Sequence, residues 1–237
     1  MNNKEIEKLF YKAKLLGILI PIKTFCGGTC YLISKNKTDH IIIIPPDVER
    51  LNYNYNMKNG IVFTQHIKSL KGNVKVIGGD GLKDVHAMFA ECTADRVDIS
   101  ELNTSNVKCM EYMFYGSRIK SINLEAIDTS NVVHMDFMFA QSELRKINFS
   151  NFDTHNVVSM YYMFYCSGSD ELDLSSFDTH NVIEFKEMFS SCISNRIDIS
   201  SFELGKEAKI RGMFKYAQAK FIIKNAELMQ EYMYNNK

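Results

Sequence analysis

The sequence lacks any hydrophobic run approaching the roughly 20 apolar residues that a transmembrane helix needs. No membrane span or membrane partner is therefore expected. Its start, MNNKEIEKLFYKAKLLGILIPIK, makes a poor export signal. Glu5 and Glu7 interrupt the charged lead, the apolar run Leu15–Ile20 is short and meets Pro21, and no small-residue cleavage site follows. Net charge is also lacking: 28 Lys and Arg balance 28 Asp and Glu. That argues against a simple polyanion binder, so no direct nucleic-acid ligand is expected. The same neutrality leaves little repulsion between copies, and self-association stays open. Six cysteines (Cys26, Cys30, Cys92, Cys109, Cys166 and Cys192) are too scattered for a dense disulfide framework. Free thiols in a reducing compartment are expected, and with them a soluble cytoplasmic protein.

Charge is unevenly placed along the chain. Residues 1–75 carry 12 basic and 5 acidic side chains, a net of +7. Residues 76–202 carry 9 and 19, a net of −10, and residues 203–237 carry 7 and 4, a net of +3. An acidic middle between basic ends bears on partners rather than on fold.

Repetition dominates the rest. Met-Phe occurs at Met88-Phe89, Met113-Phe114, Met138-Phe139, Met163-Phe164, Met188-Phe189 and Met213-Phe214, each 25 residues after the last. An alternating triplet keeps the same register: Val97-Asp98-Ile99, Ile122-Asn123-Leu124, Ile147-Asn148-Phe149, Leu172-Asp173-Leu174 and Ile197-Asp198-Ile199. Apolar residues flanking a polar one fit a short strand with one face in and one out. Asn103-Thr104-Ser105-Asn106, Asp128-Thr129-Ser130-Asn131, Asp153-Thr154-His155-Asn156 and Asp178-Thr179-His180-Asn181 follow. Such side chains accept hydrogen bonds from free backbone N–H groups at helix N-caps and turns. Val107, Met110, Met113 and Phe114 then stand at i, i+3, i+6 and i+7, which predicts a short helix in each unit. One unit cannot bury its apolar faces alone, whereas stacked units can.

The segments LDLSSFDTHNVIEFKEMFSSC (172–192) and INFSNFDTHNVVSMYYMFYC (147–166) resemble the BspA-type leucine-rich repeats of bacterial surface and mobile-element proteins. That pattern runs Leu-x-Leu-Ser-x-Phe-Asp-Thr-Ser-Asn-Val-x-x-Met-x-x-Met-Phe-x-x-Cys, and it covers residues 97–202 well. The resemblance implies a leucine-rich-repeat scaffold that binds other proteins. The expected fold class is thus an α/β solenoid, a right-handed coil of about six 25-residue strand–turn–helix units with a small α+β N-terminal cap. Residues 1–72 form the cap, and residues 73–237 form the solenoid with a C-terminal cap. Within the first segment, residues 3–16 place Ile6, Leu9, Phe10, Ala13 and Leu16 on one helical face, with Asn2 and Glu5 at capping-box spacing and Gly17 as a stop. Cys30–Ser34 and His40–Ile44 read as two strands, Asn52–Gly60 as a surface loop and Glu227–Lys237 as a last helix.

No set of nucleophile, base and oxyanion donor stands out, so no enzyme and no cofactor are expected. Two binding surfaces are. On a helical wheel Tyr112, Phe137 and Tyr162 point away from the Met-Phe stripe, with Tyr115, Tyr161 and Tyr165 beside them. They predict an aromatic ladder on the convex side, set against the alternative of mutual stacking between coils. Asp98, Asn123, Asn148, Asp173 and Asp198 form a second row, on the sheet, that is either a face for a basic partner or a structural ladder. His155 and His180 share a column but have no third ligand, so no metal site is expected there. Cys26-Gly-Gly-Thr-Cys30 reads as a turn carrying two thiols, and Gly78-Gly79-Asp80-Gly81 as the first repeat's turn. The functional expectation is a non-catalytic protein-interaction scaffold. Its sharper form is an inhibitor of a basic nucleic-acid enzyme, in the manner of phage counter-defence (anti-CRISPR-like) proteins. A structural or adhesive surface repeat is the alternative.

Overall fold

A computed structural model describes residues 3–24, 28–52 and 62–235. Helix α1 (Asn3–Leu15) leads into strands β1 (Leu19–Lys23), β2 (Thr29–Ser34) and β3 (Asp39–Ile44), which pair antiparallel in that order. Gly17, at φ +65°, ends the helix as expected. Ile6, Leu9, Phe10 and Ala13 pack on Ile33, Ile43 and Ile77 of the sheet, whereas Leu16 lies past the helix end and is exposed. The short helix α2 (Val62–Ile67) has no counterpart in the sequence reading, and it buries Phe63 and Ile67. Asn52 is not in a surface loop. It is buried, and its Nδ2 donates to Thr64 Oγ1 at 3.0 Å and to the His86 carbonyl at 2.7 Å. The rest of the expected loop (53–60), Asn2 and Cys26 lie outside the described residues, and Cys30 is buried in β2.

From β3 onward the chain coils in parallel. Strand β4 (Asn73–Gly78) pairs with β3, β5 (Arg96–Leu102) with β4, and β6 (Ser121–Ile122) with β5. A second parallel sheet holds β7 (Glu171–Asp173), β8 (Ile193–Asp198) and β9 (Gln218–Ile222), and Lys146 bridges to Glu171 at its edge. The expected strands at 97–99, 172–174 and 197–199 therefore form in the main, and those at 122–124 and 147–149 shrink to a pair of residues or a single bridge. Helix α3 (Ala226–Asn235) lies over the last coil through Leu228 and Tyr232. The result is a β-solenoid of about six turns, and the antiparallel hairpin extends its first sheet.

The expected helix in each repeat does not form. In residues 110–117 the N–H groups of Met113, Tyr115 and Ser117 bond the carbonyls three residues back, at 3.2, 2.9 and 3.1 Å. The alternate N–H groups, of Met110, Tyr112, Phe114 and Gly116, cross to the carbonyls of His134, Asp136, Met138 and Ala140 in the next coil, at 3.0, 2.9, 2.9 and 2.8 Å. These are consecutive β-turns. Tyr112 (φ 57°) and Gly116 (φ 61°) hold the left-handed conformation that position i+2 of a type II turn requires. A helix would direct every N–H along its own axis and leave none to join neighbouring coils. The turns spend half of them on the stack, and the bridges Asp84↔Cys109↔His134↔Ser159↔Glu184↔Lys209 continue it through six coils.

The apolar columns fill the interior. Phe89, Phe114, Phe139, Phe164, Phe189 and Phe214 form one stack, with ring centroids 5.4–6.2 Å apart and planes within 10°. Met88, Met113, Met138, Met163, Met188 and Met213 are fully buried beside it. The Asp-Thr-x-Asn columns close the polar groups. Buried Thr104, Thr129, Thr154 and Thr179 each donate through Oγ1 to a carbonyl of the next coil, at 2.8–3.0 Å, and accept the N–H of the same residue at 2.8–2.9 Å. Asn131, Asn156 and Asn181 donate from Nδ2 to carbonyls of the preceding coil at 2.7–2.8 Å. The Gly78–Gly81 segment is a turn with a steric purpose. A Cβ on Gly78 would stand 2.2 Å from the Ile44 carbonyl oxygen, and one on Gly81 would stand 2.0 Å from that of Pro46.

Candidate functional site

The turn ladder points its residues alternately in pairs. Met110, Met113, Phe114 and Ser117 are buried, and Glu111, Tyr112, Tyr115 and Gly116 are half-exposed. The outward pairs of successive coils stand in columns, and the aromatic residues singled out by sequence fall together in them. Tyr112 stacks on Phe137 (4.6 Å, 8°) and Phe137 on Tyr162 (5.0 Å, 6°). Tyr161 meets the edges of Phe137 (5.3 Å) and Tyr162 (4.3 Å). Tyr165 closes on Tyr162 at 4.9 Å, and Tyr115 flanks Tyr112 at 5.6 Å. The six form one contiguous patch over three coils. They lie on a turn ladder and not on a convex helical side, and each ring is half-buried by its neighbours. Burial, with the Glu187 carboxylate next in the column, holds the Tyr162 phenol above its usual range.

Tyr112, Phe137 and Tyr162 have φ of 55–57°. Left-handed backbone costs a residue with a Cβ about 1–2 kcal/mol relative to glycine. The same column holds Ala87, Glu187 and Gly212 in other coils, so the repeat folds without an aromatic there.

The second row engages its own turn. Asp98, Asn123, Asn148, Asp173 and Asp198 each accept, at Oδ1, the N–H two residues on, at 3.0–3.1 Å. Ser100 and Ser175 hydroxyls add 2.6 Å bonds to Asp98 and Asp173, and these bonds hold both carboxyls below the usual range. His155 and His180 each pair with the aspartate of their own coil, Nδ1 to Oδ1 of Asp153 at 2.6 Å and of Asp178 at 2.5 Å.

A cluster that the sequence reading did not find lies beside the aromatic patch. His86, Cys109, Glu111, His134 and Asp136 come from three coils onto one face. His86 is buried against the Tyr112 ring, with centroids 5.3 Å apart. These residues share no motif, because their spacings of 23 to 27 residues converge only once the coil register is known. A hollow of about 1060 Å³ lies between the last coil and α3, lined by Arg211, Lys215, Tyr216 and Glu231 among others. A depression of about 690 Å³ opens where the sheet parts between β6 and Lys146, and it is lined by Arg118, Lys120, Glu143, Arg145, Lys146 and Asp170 among others. No helix among the described residues is long and apolar enough to cross a membrane.

The family described as "Mycoplasma protein of unknown function, DUF285" matches twice, over residues 52–143 and 117–227. The chain belongs to this family. The two DUF285 matches overlap in tandem, as expected of a stack in which one coil continues into the next, and they cover every turn of the ladder. Neither a curated protein nor a solved structure matches the chain. The DUF285 assignment therefore carries the repeat and leaves the function to be argued from this surface.

Proposed function

We propose that the chain is a non-catalytic scaffold that binds another protein through the patch of Tyr112, Tyr115, Phe137, Tyr161, Tyr162 and Tyr165. The observation that carries this reading is the row Tyr112–Phe137–Tyr162 in a left-handed column that takes alanine, glutamate or glycine in other coils. The turn does not demand aromatic rings there, because the column keeps φ of 54–70° with alanine, glutamate or glycine in other coils. Aromatic clusters that are not demanded by the fold are what interface anchors look like. The likeness of the motif to BspA-type repeats supports the same class. It also supports the second reading, an adhesive surface repeat, which fractionation separates from a cytoplasmic scaffold.

The sharper form is an inhibitor with a basic nucleic-acid enzyme as its target. Its support is the net −10 over residues 76–202, where carboxyls such as Asp98 and Asp173 stay ionised. The test is retention of host proteins on immobilised wild type beside the triple variant Tyr112→Ala/Phe137→Ala/Tyr162→Ala, eluted in a salt gradient. A protein retained by wild type and lost by the triple variant supports the aromatic patch. Equal retention by both refutes it. Elution at low salt favours the basic-enzyme form, and elution independent of salt removes that form while leaving the patch.

A further inference from the structure

Backbone bridges Asp84↔Cys109↔His134 align one outward column, and His86, Glu111 and Asp136 lie two residues on in each coil. One ligating atom each from His86, Cys109 and Glu111 falls within 4.8 Å of the others, and the same holds for Glu111, His134 and Asp136. His86 Nδ1 stands 3.6 Å from Glu111 Oε2. Two ligand atoms each about 2.1 Å from a tetrahedral ion are about 3.4 Å apart. We propose that His86, Cys109 and Glu111 bind a zinc-type divalent transition ion, with His134 and Asp136 in reach of the same Glu111 carboxylate.

Three features besides distance support the site. The donor set mixes imidazole, thiolate and carboxylate, which suits zinc and does not suit calcium or magnesium. Thiolate plus carboxylate balances the two charges of the ion, so the bound site is neutral in its half-buried position. The first ligand is held before the ion arrives. The His86 backbone N–H donates to Asp84 Oδ1 at 2.8 Å and its backbone carbonyl accepts from Asn52 Nδ2 at 2.7 Å, with Asp84 paired to Arg50 Nε at 3.0 Å, and the ring lies against Tyr112 at 5.3 Å. The repeat itself does not call for these residues. Later coils carry Ser159, Glu184 and Lys209 in the first column, and Tyr161, Lys186 and Arg211 in the second.

The site is independent of the partner-binding reading and has its own assay. The chelator-stripped 237-residue chain is titrated with Co²⁺, then with Zn²⁺. Wild type should bind one equivalent of Co²⁺ with a thiolate-to-cobalt charge-transfer band, release one proton from Cys109 per ion, and lose the band to Zn²⁺. Cys109→Ser should abolish the band, whereas replacing the exposed Cys166 with Ser should leave it. Glu111→Gln keeps the thiol and close to the same shape. It should weaken affinity at least about tenfold with the circular dichroism spectrum of wild type. A band that survives in Cys109→Ser, unchanged affinity in Glu111→Gln, or no Co²⁺ uptake by wild type would each overturn the proposal.

Discussion

The Ala-to-Gly comparison at residue 141 tests the turn ladder directly, because helix and turn give opposite signs. Gln141 has φ +56°, is exposed, and donates its N–H to the Tyr165 carbonyl of the next coil at 2.7 Å. Gln141→Ala and Gln141→Gly remove the same side-chain contacts, so their difference isolates the backbone. In a helix glycine would be the worse by about 0.8–1.0 kcal/mol. In left-handed backbone alanine carries a cost of about 1–2 kcal/mol. The extra unfolded-state freedom of glycine takes back about 0.4–1 kcal/mol. The balance favours Gln141→Gly by about 0.5–1 kcal/mol. For a chain of this size 1 kcal/mol moves the melting temperature by about 2–4 °C. Gln141→Gly should therefore melt about 1–4 °C above Gln141→Ala by circular dichroism. Gly116→Ala supplies the reciprocal case. Its φ is +61°, and a Cβ there would meet only Glu91 Cγ at 3.6 Å, an ordinary contact. The loss should again be about 0.5–1 kcal/mol, from conformation alone. Alanine as stable as glycine at both positions would refute the turn ladder.

Two further outcomes follow from the polar columns. Thr129 is 1% exposed and both donates to and accepts from the backbone of Asp153, at 2.9 and 2.8 Å. Thr129→Val keeps the shape and removes both bonds to the part-buried Asp153 backbone, so urea denaturation should show a loss of about 1–3 kcal/mol. Thr129→Ser keeps the hydroxyl and should lose only about 1 kcal/mol. The ladder reading fails if valine is tolerated as well as serine. The acid limb of stability has a fixed sign. Asp98 and Asp173 have folded pKa values below the ordinary carboxylate value, chiefly through the Ser100 and Ser175 hydroxyls. Their contribution is complete above the unfolded value of about 3.9 and is lost as pH falls through the lowered folded values. Urea midpoints should hold down to about pH 4.5 and then drop, less steeply in Asp98→Asn/Asp173→Asn, and an identical slope in that variant would count against the assignment.

What the sequence conveyed was the period, and what it could not convey was the path of the backbone within it. Val107, Met110, Met113 and Phe114 fit a helical stripe, yet the turns bury Met110, Met113, Phe114 and Ser117 and expose Glu111, Tyr112, Tyr115 and Gly116. Consecutive four-residue turns send side chains in and out by twos, which yields i, i+3, i+4, i+7, the same signature as an α-helix. Hydrophobic periodicity alone does not separate the two. The discriminating signal is weaker. Gly116 and Gly212 stand in the two left-handed columns, four residues apart in every coil, where a helix would gain from alanine. Strands at 97–99, 172–174 and 197–199 needed only local alternation and were legible for that reason, whereas the Asx turns at Asp98 to Asp198 and the bonds of the Thr and Asn columns to neighbouring coils were not, because they depend on the path of the backbone.

The repeat also supplies a criterion for separating scaffold from function. A column is structural when one residue type answers the same backbone need in coil after coil, as Thr104, Thr129, Thr154 and Thr179 do. A column is free to be functional when its occupants change and the turn does not. The left-handed column changes from Ala87 to Tyr112, Phe137 and Tyr162, then to Glu187 and Gly212, with φ of 54–70° throughout. The column beside it changes from His86, Glu111 and Asp136 to Tyr161, Lys186 and Arg211, while from Glu111 onward its carbonyls go on accepting N–H groups of the preceding coil. Both departures fall on neighbouring coils of one face, and there the aromatic patch and the ligating cluster meet at His86 and Tyr112. A fold that repeats six times does not by itself concentrate aromatic rings and potential metal ligands on its first four coils. The proposed partner site and the proposed metal site share that face, on the turn ladder of the first four coils, and the two assays therefore probe adjoining surfaces.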